Sequence, residues 1–383
     1  MNQAHWWFKS LDSVRRHRGN TLDRMGLGPQ ETPFDLVFSR PGLRLRHYNG
    51  HASGETGDIS QAGAEQGANG SPGYGHADNS AQAGPPLLIV PSPIKRPYIW
   101  DLSPERSVVR KAIEHGLDVF MIEWTETEQE NLCPSLADYA GPMIEECINF
   151  ITAHTGHEKV FLTGHSLGGI FTALFGAYRP QLLQALVLID VPLHFNEATG
   201  AFRKMLEKEG AAEELLATAN DIPGSLLSMI SANAAPSTFY TSRYLDRLAS
   251  LPSHSLTRTH WRVERWTMDE FPMSRALFID VVEKLYRGNE FMRGELKIGD
   301  TPLHPKNISA PLLSVYQSSD IIPADSALAF FDAAGSADKE LLPYSGDTGV
   351  ALQHVGPLVG DSAHRDIWPR IFTRLEELGG RKT

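Results

Sequence analysis

From residue 86 onward, short apolar runs alternate with stretches patterned for helices. PLLIV (86–90) is followed by a helical pattern from about 104 to 115 and then by DVFMIEW (118–124). A second cycle runs through an amphipathic stretch at 138–154, the strand KVFLTG (159–164), a helix over 167–178 and the strand ALVLID (185–190). Runs that are apolar at every position, rather than at alternate ones, suit strands covered on both faces. The pattern therefore predicts a mostly parallel, doubly wound sheet of the α/β class. Alternation resumes with APLLSVYQSSD (310–320), a helix after Pro323, the strand KELLPY (339–344) and a closing helix through HRDIWPRIFTRLEEL.

Four segments depart from this rhythm. Residues 1–30 read as an N-terminal amphipathic helical segment, and DLVFSRPGLRLRHYN (35–49) reads as a hairpin turning at Pro-Gly. Residues 50–84 are rich in Gly, Ala, Ser and Asn with almost nothing to bury, and read as a flexible surface insertion. Between 195 and 305, helical patterns and aromatic clusters such as HWRVERW replace strands, as expected of a helical cap inserted in a core formed by 31–194 and 306–383.

The chain has 383 residues, 41% of them hydrophobic and 21% charged, which is ordinary globular usage. A net charge of −11 excludes the clustered basic surface that phosphate recognition needs, so nucleic acid is not an expected partner. The two cysteines, Cys133 and Cys147, form no C-x-x-C pair, and small buried hydrophobe is the reading of both. The first twenty residues lack the apolar core of a secretory signal, and no run is long enough to span a membrane. A cytoplasmic protein is expected.

The candidate chemistry lies at Gly164-His165-Ser166-Leu167-Gly168-Gly169, which directly follows an apolar strand and opens a helix. A nucleophile on so tight a turn needs strained backbone. Gly164 and Gly168, two residues to either side, keep side chains out of the crossing. This context predicts an α/β-hydrolase fold, in which the nucleophile is followed along the chain by an acid and then a histidine. Asp320, ending LLSVYQSS, is placed first as the acid, with Asp190, ending VLID, as the alternative. His354, in the loop before the closing helix, is the base. Leu167 supplies one backbone N–H for an oxyanion hole. In Pro91-Ser92-Pro93-Ile94 the prolines have none to give, so Ser92 and Ile94 remain, and Ile94, further into the loop, is preferred. His165 is assigned to packing or lining.

The stretches 86–124, 262–300 (RVERWTMDEFPMSRALFIDVVEKLYRGNEFMRGELKIGD) and 318–327 (SSDIIPADSA) carry a further likeness. In them the chain resembles the polyhydroxyalkanoate synthases, particularly the short catalytic-subunit type. The resemblance implies an α/β-hydrolase core with a helical cap, hydroxyacyl-CoA as substrate class, and catalytic roles at the positions of Ser166, Asp320 and His354. It also agrees with Ile94 as an oxyanion donor. Those synthases carry cysteine at the elbow, where this chain has Ser166, and usually glycine where it has Gln353. A serine acyl-enzyme is an oxygen ester, formed downhill from a thioester and well suited to hydrolysis.

The expected activity is therefore serine-dependent acyl transfer on hydroxyacyl esters or CoA thioesters, hydrolysis first and polyester synthesis second. A non-catalytic protein of granule or lipid surfaces, touching them through Trp6-Trp7-Phe8, is the alternative from another class. No metal spacing or cofactor fingerprint is present, and CoA enters only as part of a substrate. A polyester granule surface, a second copy of the chain or a second synthase-type subunit are the expected partners.

Overall fold

The computed structural model describes residues 3–48, 84–126, 132–195, 221–317 and 322–380. Residues 50–83 of the expected Gly/Ala/Ser insertion lie outside these, as do 196–220 of the expected cap and Asp320.

Eight strands form the central sheet: β1 (Asp35–Arg40), β2 (Leu43–Tyr48), β3 (Pro86–Val90), β4 (Asp118–Trp124), β5 (Val160–His165), β6 (Leu183–Ile189), β7 (Leu312–Tyr316) and β8 (Lys339–Pro343). Their spatial order is β1-β2-β4-β3-β5-β6-β7-β8. The first two pair antiparallel as the expected hairpin, β2 pairs antiparallel with β4, and every later pairing is parallel. PLLIV is buried at all five positions and β5 at all six, because helices cover both faces there.

Among the described residues the longer helices are α1 (Gln3–Arg24), α2 (Val108–Glu114), α3 (Leu136–Ala140), α4 (Pro142–Thr155), α5 (Ser166–Tyr178), α6 (Gly224–Ala234), α7 (Arg243–Ser250), α8 (His254–Thr267), α9 (Arg275–Asp280), α10 (Ala324–Ala333) and α11 (Trp368–Leu378). Two expected helices are shorter or broken. The pattern from 104 to 115 becomes helical only at Val108, because Asp101–Ser103 and Arg106–Ser107 pair as a small hairpin and the Ser107 side chain caps the helix at the Arg110 N–H. The stretch 138–154 splits between α3 and α4 at Gly141-Pro142. Proline cannot donate the N–H a continuous helix needs, and a Cβ on Gly141 would lie 2.8 Å from both the Ala137 carbonyl oxygen and Ile298.

α1 is tied to the segment between β6 and β7. Asp12 accepts from the Ser225 N–H at 2.7 Å, and Asp23 holds the Arg265 guanidinium through two bonds of 2.8 Å. Phe8 packs on the core, while Trp6 and Trp7 stay exposed.

Strand register decides where the chemistry can sit. Val90 lies opposite Gly164, His165 opposite Ile189, and Ile189 opposite Val315. The carboxyl ends of β3, β5, β6 and β7 therefore finish level with one another. Whatever follows each of them shares one edge of the sheet.

Burial of His364 beneath the closing helix has a consequence for stability. Its Nε2 donates to the Leu358 carbonyl at 2.8 Å, its Nδ1 has no partner, and burial pushes its pKa down to about 4. The unfolded chain binds a proton at this site near pH 6.5, whereas the folded chain resists it until about pH 4. The contribution is therefore complete above pH 6.5 and is lost as the pH falls from there toward 4, a change on the order of 3 kcal/mol. Urea titrations at pH 7.5 and 4.5 should show a smaller acid loss for His364→Gln than for the unaltered chain. Equal losses would remove His364 as the cause.

Candidate active site

The turn between β5 and α5 carries Ser166 at φ 55°, a left-handed conformation that costs a non-glycine residue roughly 1–3 kcal/mol. The turn is held by its surroundings. A Cβ on Gly164 would lie 2.4 Å from Thr172 Oγ1, and one on Gly168 would lie 2.2 Å from the Val90 carbonyl oxygen and 2.7 Å from Pro91. The helix thus sits directly against the end of β3, an approach only glycine permits. Gly169, which the sequence reading did not single out, is just as confined, since a Cβ there would lie 2.2 Å from Val191 Cγ2.

His354 lies in the loop 344–355 and is half-buried. Its Nδ1 bonds Asp190 Oδ2 at 2.7 Å. Asp190 follows β6 directly, is almost wholly buried, and takes φ 47°, which an aspartate tolerates better than most residues. Its other oxygen accepts from the Gln317 N–H at 3.3 Å, so the carboxylate is held from the neighbouring strand end as well. The carboxylate bonded to the base is thus the one ranked second from sequence. Asp320, ranked first, lies outside the described residues. Both aspartates follow strands that end at the same edge, so position along the chain does not separate them. What the structure adds is the bond from His354 Nδ1 to Asp190 Oδ2.

His165 has a larger part than packing. Its Nε2 donates to the His354 carbonyl at 2.7 Å, and the two rings lie 4.4 Å apart. A carbonyl can only accept, so His165 carries its proton on Nε2. Burial, and then the proximity of His354, holds its pKa well below the usual histidine value and keeps it neutral. His354 is thereby fixed against the residue next to Ser166. With Nδ1 occupied by Asp190, the face left for a serine hydroxyl is Nε2. No hydrogen bond joins Ser166 to His354 in this structure, and catalytic hydrogen bonds commonly tighten only when substrate binds.

His165, Asp190 and His354 place potential metal-ligating atoms within 4.8 Å of one another. Those atoms are already engaged: Asp190 Oδ2 with His354 Nδ1, and His165 Nε2 with a carbonyl. The cluster is a hydrogen-bonded chain, the arrangement that orients a base.

Leu167 is the second residue of α5, so its N–H is one of the helix's first, unpaired donors. Ile94 lies in the loop after β3. This loop is pinned by Trp124 Nε1 donating to the Pro91 carbonyl at 2.7 Å and by the Phe271 N–H donating to the Ile94 carbonyl at 3.0 Å. Of the cysteines, Cys147 is fully buried in α4 and its thiol is pushed well up by burial, which leaves it inert as a nucleophile. Cys133 is exposed. Among the described residues, no helix is long and apolar enough to cross a membrane.

The family model described as alpha/beta hydrolase fold matches residues 106–331. Several curated relatives carry the name poly(3-hydroxyalkanoate) polymerase subunit PhaC. That of Haloferax mediterranei is 25% identical over 100% of this chain and 72% of its own length. That of Allochromatium vinosum is 26% identical over 79% of this chain and 84% of its own. That of a Synechocystis strain is 27% identical over 76% of this chain and 78% of its own. Strand order, elbow and family match agree: the chain belongs to the alpha/beta hydrolase fold family and is an enzyme similar to the polymerase subunit PhaC.

Proposed function

We propose that this chain is a serine-nucleophile acyl-transfer enzyme acting on hydroxyacyl esters or CoA thioesters, with Ser166 as nucleophile, His354 as base and Asp190 as the orienting acid. The observation that carries the reading is the 2.7 Å bond from His354 Nδ1 to buried Asp190, with the same histidine tied to the elbow through His165. His354 Nε2 takes the Ser166 proton as Oγ attacks the carbonyl carbon. The Leu167 and Ile94 N–H groups receive the oxyanion, and the imidazolium returns its proton to the departing thiolate or alkoxide. An oxygen ester on Ser166 remains. Water, deprotonated by the same histidine, then releases the free acid.

Hydrolysis is the preferred outcome because the oxygen ester keeps less activation than the thioester that formed it. The names of the relatives favour a second reading, in which the hydroxyl of a growing polyester accepts the acyl group. Under either reading the segment 195–305 acts as a cap over the site. The protein works in the cytoplasm, at a granule surface if polymer is the product. A second, synthase-type subunit is a partner suggested by the word subunit in the relatives' names.

The test incubates the purified chain with 3-hydroxybutyryl-CoA, following thiol release and product mass. Thiol release with free 3-hydroxybutyrate alone supports hydrolysis; ester-linked oligomers would establish synthesis in its place. No thiol release, with p-nitrophenyl butyrate also untouched, would remove the acyl-transfer reading.

A further inference from the structure

The turn that leads into His354 is held by a second aspartate, in the helical segment between β6 and β7. Asp246, in α7, accepts from the Gly349 N–H at 2.7 Å and from the Ala351 N–H at 2.8 Å. Gly349 has φ 80° and Ala351 has φ 58°, the latter strained for a residue with a Cβ. Such a turn persists only if its surroundings over-determine it, and these two bonds fall on its two left-handed residues. The contact is also steric. A Cβ on Gly349 would lie 2.8 Å from Leu256 Cβ and 2.9 Å from the Leu256 carbonyl oxygen, so α8 rests on the turn. Val263 and Trp266 of α8 share a core cluster with Val350, Ala351 and Leu352.

Asp246 is itself held in place. His260 Nδ1 lies 2.7 Å from Asp246 Oδ2, and His260 Nε2 lies 3.7 Å from Glu264, whose carboxylate is paired with Arg243. Burial works to raise the Asp246 pKa, but the bonds from His260, Ala351 and Gly349 outweigh it and hold the carboxyl below its usual range. The group is an anion locked among donors, not a solvated surface charge. Among the described residues, no hydrogen bond or ion pair joins Asp246, His260 or Glu264 to Ser166, His354 or Asp190.

We propose that Asp246, set by His260, is a positioning residue that couples the helical segment to the catalytic base: while α7 and α8 are seated, their carboxylate fixes the 349–351 turn and hence the reach of His354 toward Ser166. A displacement that lifts α7 off the 349–351 turn withdraws both acceptors at once. The strained turn can then relax, and the base moves three residues away from a released anchor. The inference rests on the acyl-transfer reading of the site.

The test compares Asp246→Asn, His260→Leu and His260→Asn in the full chain, together with Ser166→Ala. Asparagine at 246 keeps the shape but turns an N–H₂ toward groups that need an acceptor. Asparagine at 260 can place its Nδ2 near the former Nδ1 and still donate to Asp246. Hydrolysis of p-nitrophenyl butyrate and the rate of Ser166 labelling by a fluorophosphonate are measured, normalised to folded protein by circular dichroism. Asp246→Asn and His260→Leu should lower kcat and labelling together by about 10²-fold with KM within a few-fold, the scale expected for a misplacement of about 1 Å. His260→Asn should recover most of that loss. Should Asp246→Asn fail to fold, the His260 pair decides alone. Unchanged kcat and labelling per folded molecule in His260→Leu, or equal losses in His260→Leu and His260→Asn, would overturn the coupling. If Ser166→Ala hydrolyses the ester as fast as the unaltered chain, the acyl-transfer reading itself fails first, an outcome distinct from loss of the coupling alone.

Discussion

Replacing Asp190 by asparagine should lower kcat by about 10⁴-fold, the scale seen when a triad acid is exchanged for its amide. The cause is tautomeric. One side-chain oxygen at position 190 already accepts from the Gln317 N–H, so an asparagine would keep its oxygen there and turn its N–H₂ toward His354. Nδ1 must then accept, which moves the imidazole proton to Nε2. A protonated Nε2 cannot take the serine proton. Fold and KM should change little, since the substitution is isosteric. Asp320→Asn should stay within about tenfold of the unaltered chain, because the single N–H at Nδ1 is already satisfied at 2.7 Å by Asp190. Steady-state kinetics of both variants on p-nitrophenyl butyrate decide the assignment. Loss with Asp320→Asn and not with Asp190→Asn would return the role to Asp320.

Ser166→Ala carries the other large effect, about 10⁵- to 10⁶-fold in kcat, as expected when the nucleophile of a triad is removed while donors and base stay in place. The variant should fold normally and should be more stable against urea only if alanine bears the left-handed turn no worse than serine. Both residues have a Cβ, so the strain at φ 55° remains and stability should match within about 1 kcal/mol. Substrate binding should survive. A KM raised in step with lost kcat would mean that Ser166 is part of the binding surface instead of the bond-making atom.

Much of this was legible in the sequence because it depends on periodicity and on backbone geometry with few solutions. The runs PLLIV, KVFLTG and ALVLID could only be strands covered on both faces, and they are neighbours at the centre of the sheet. The glycines at 164 and 168 marked a turn too tight for side chains, and a Cβ at either would fall well inside contact distance of neighbouring atoms. The bond between His354 and Asp190 was not legible. Asp190 and Asp320 both follow apolar strands, and only the three-dimensional approach of the 344–355 loop brings His354 to Asp190. The assignment of His165 to packing or lining gave no hint that its Nε2 reaches the carbonyl of His354. Asp246 carried no signal, since the two backbone N–H groups whose turn it holds lie more than a hundred residues away.

The likeness to PhaC and the serine at the elbow pull the chemistry in different directions, and the acyl-enzyme is where they meet. Under the proposed mechanism both hydrolysis and chain growth pass through an acyl group on Ser166, so trapping it tests the central claim before the products are known. The most direct measurement is intact and peptide mass spectrometry of the chain quenched in acid within seconds of mixing with 3-hydroxybutyryl-CoA. A single hydroxybutyryl adduct on the peptide bearing Ser166, absent from Ser166→Ala and accumulating in His354→Gln if deacylation is the slower step, is the expected result. An adduct on another residue, or turnover of the thioester with Ser166 unmodified and dispensable, would contradict it.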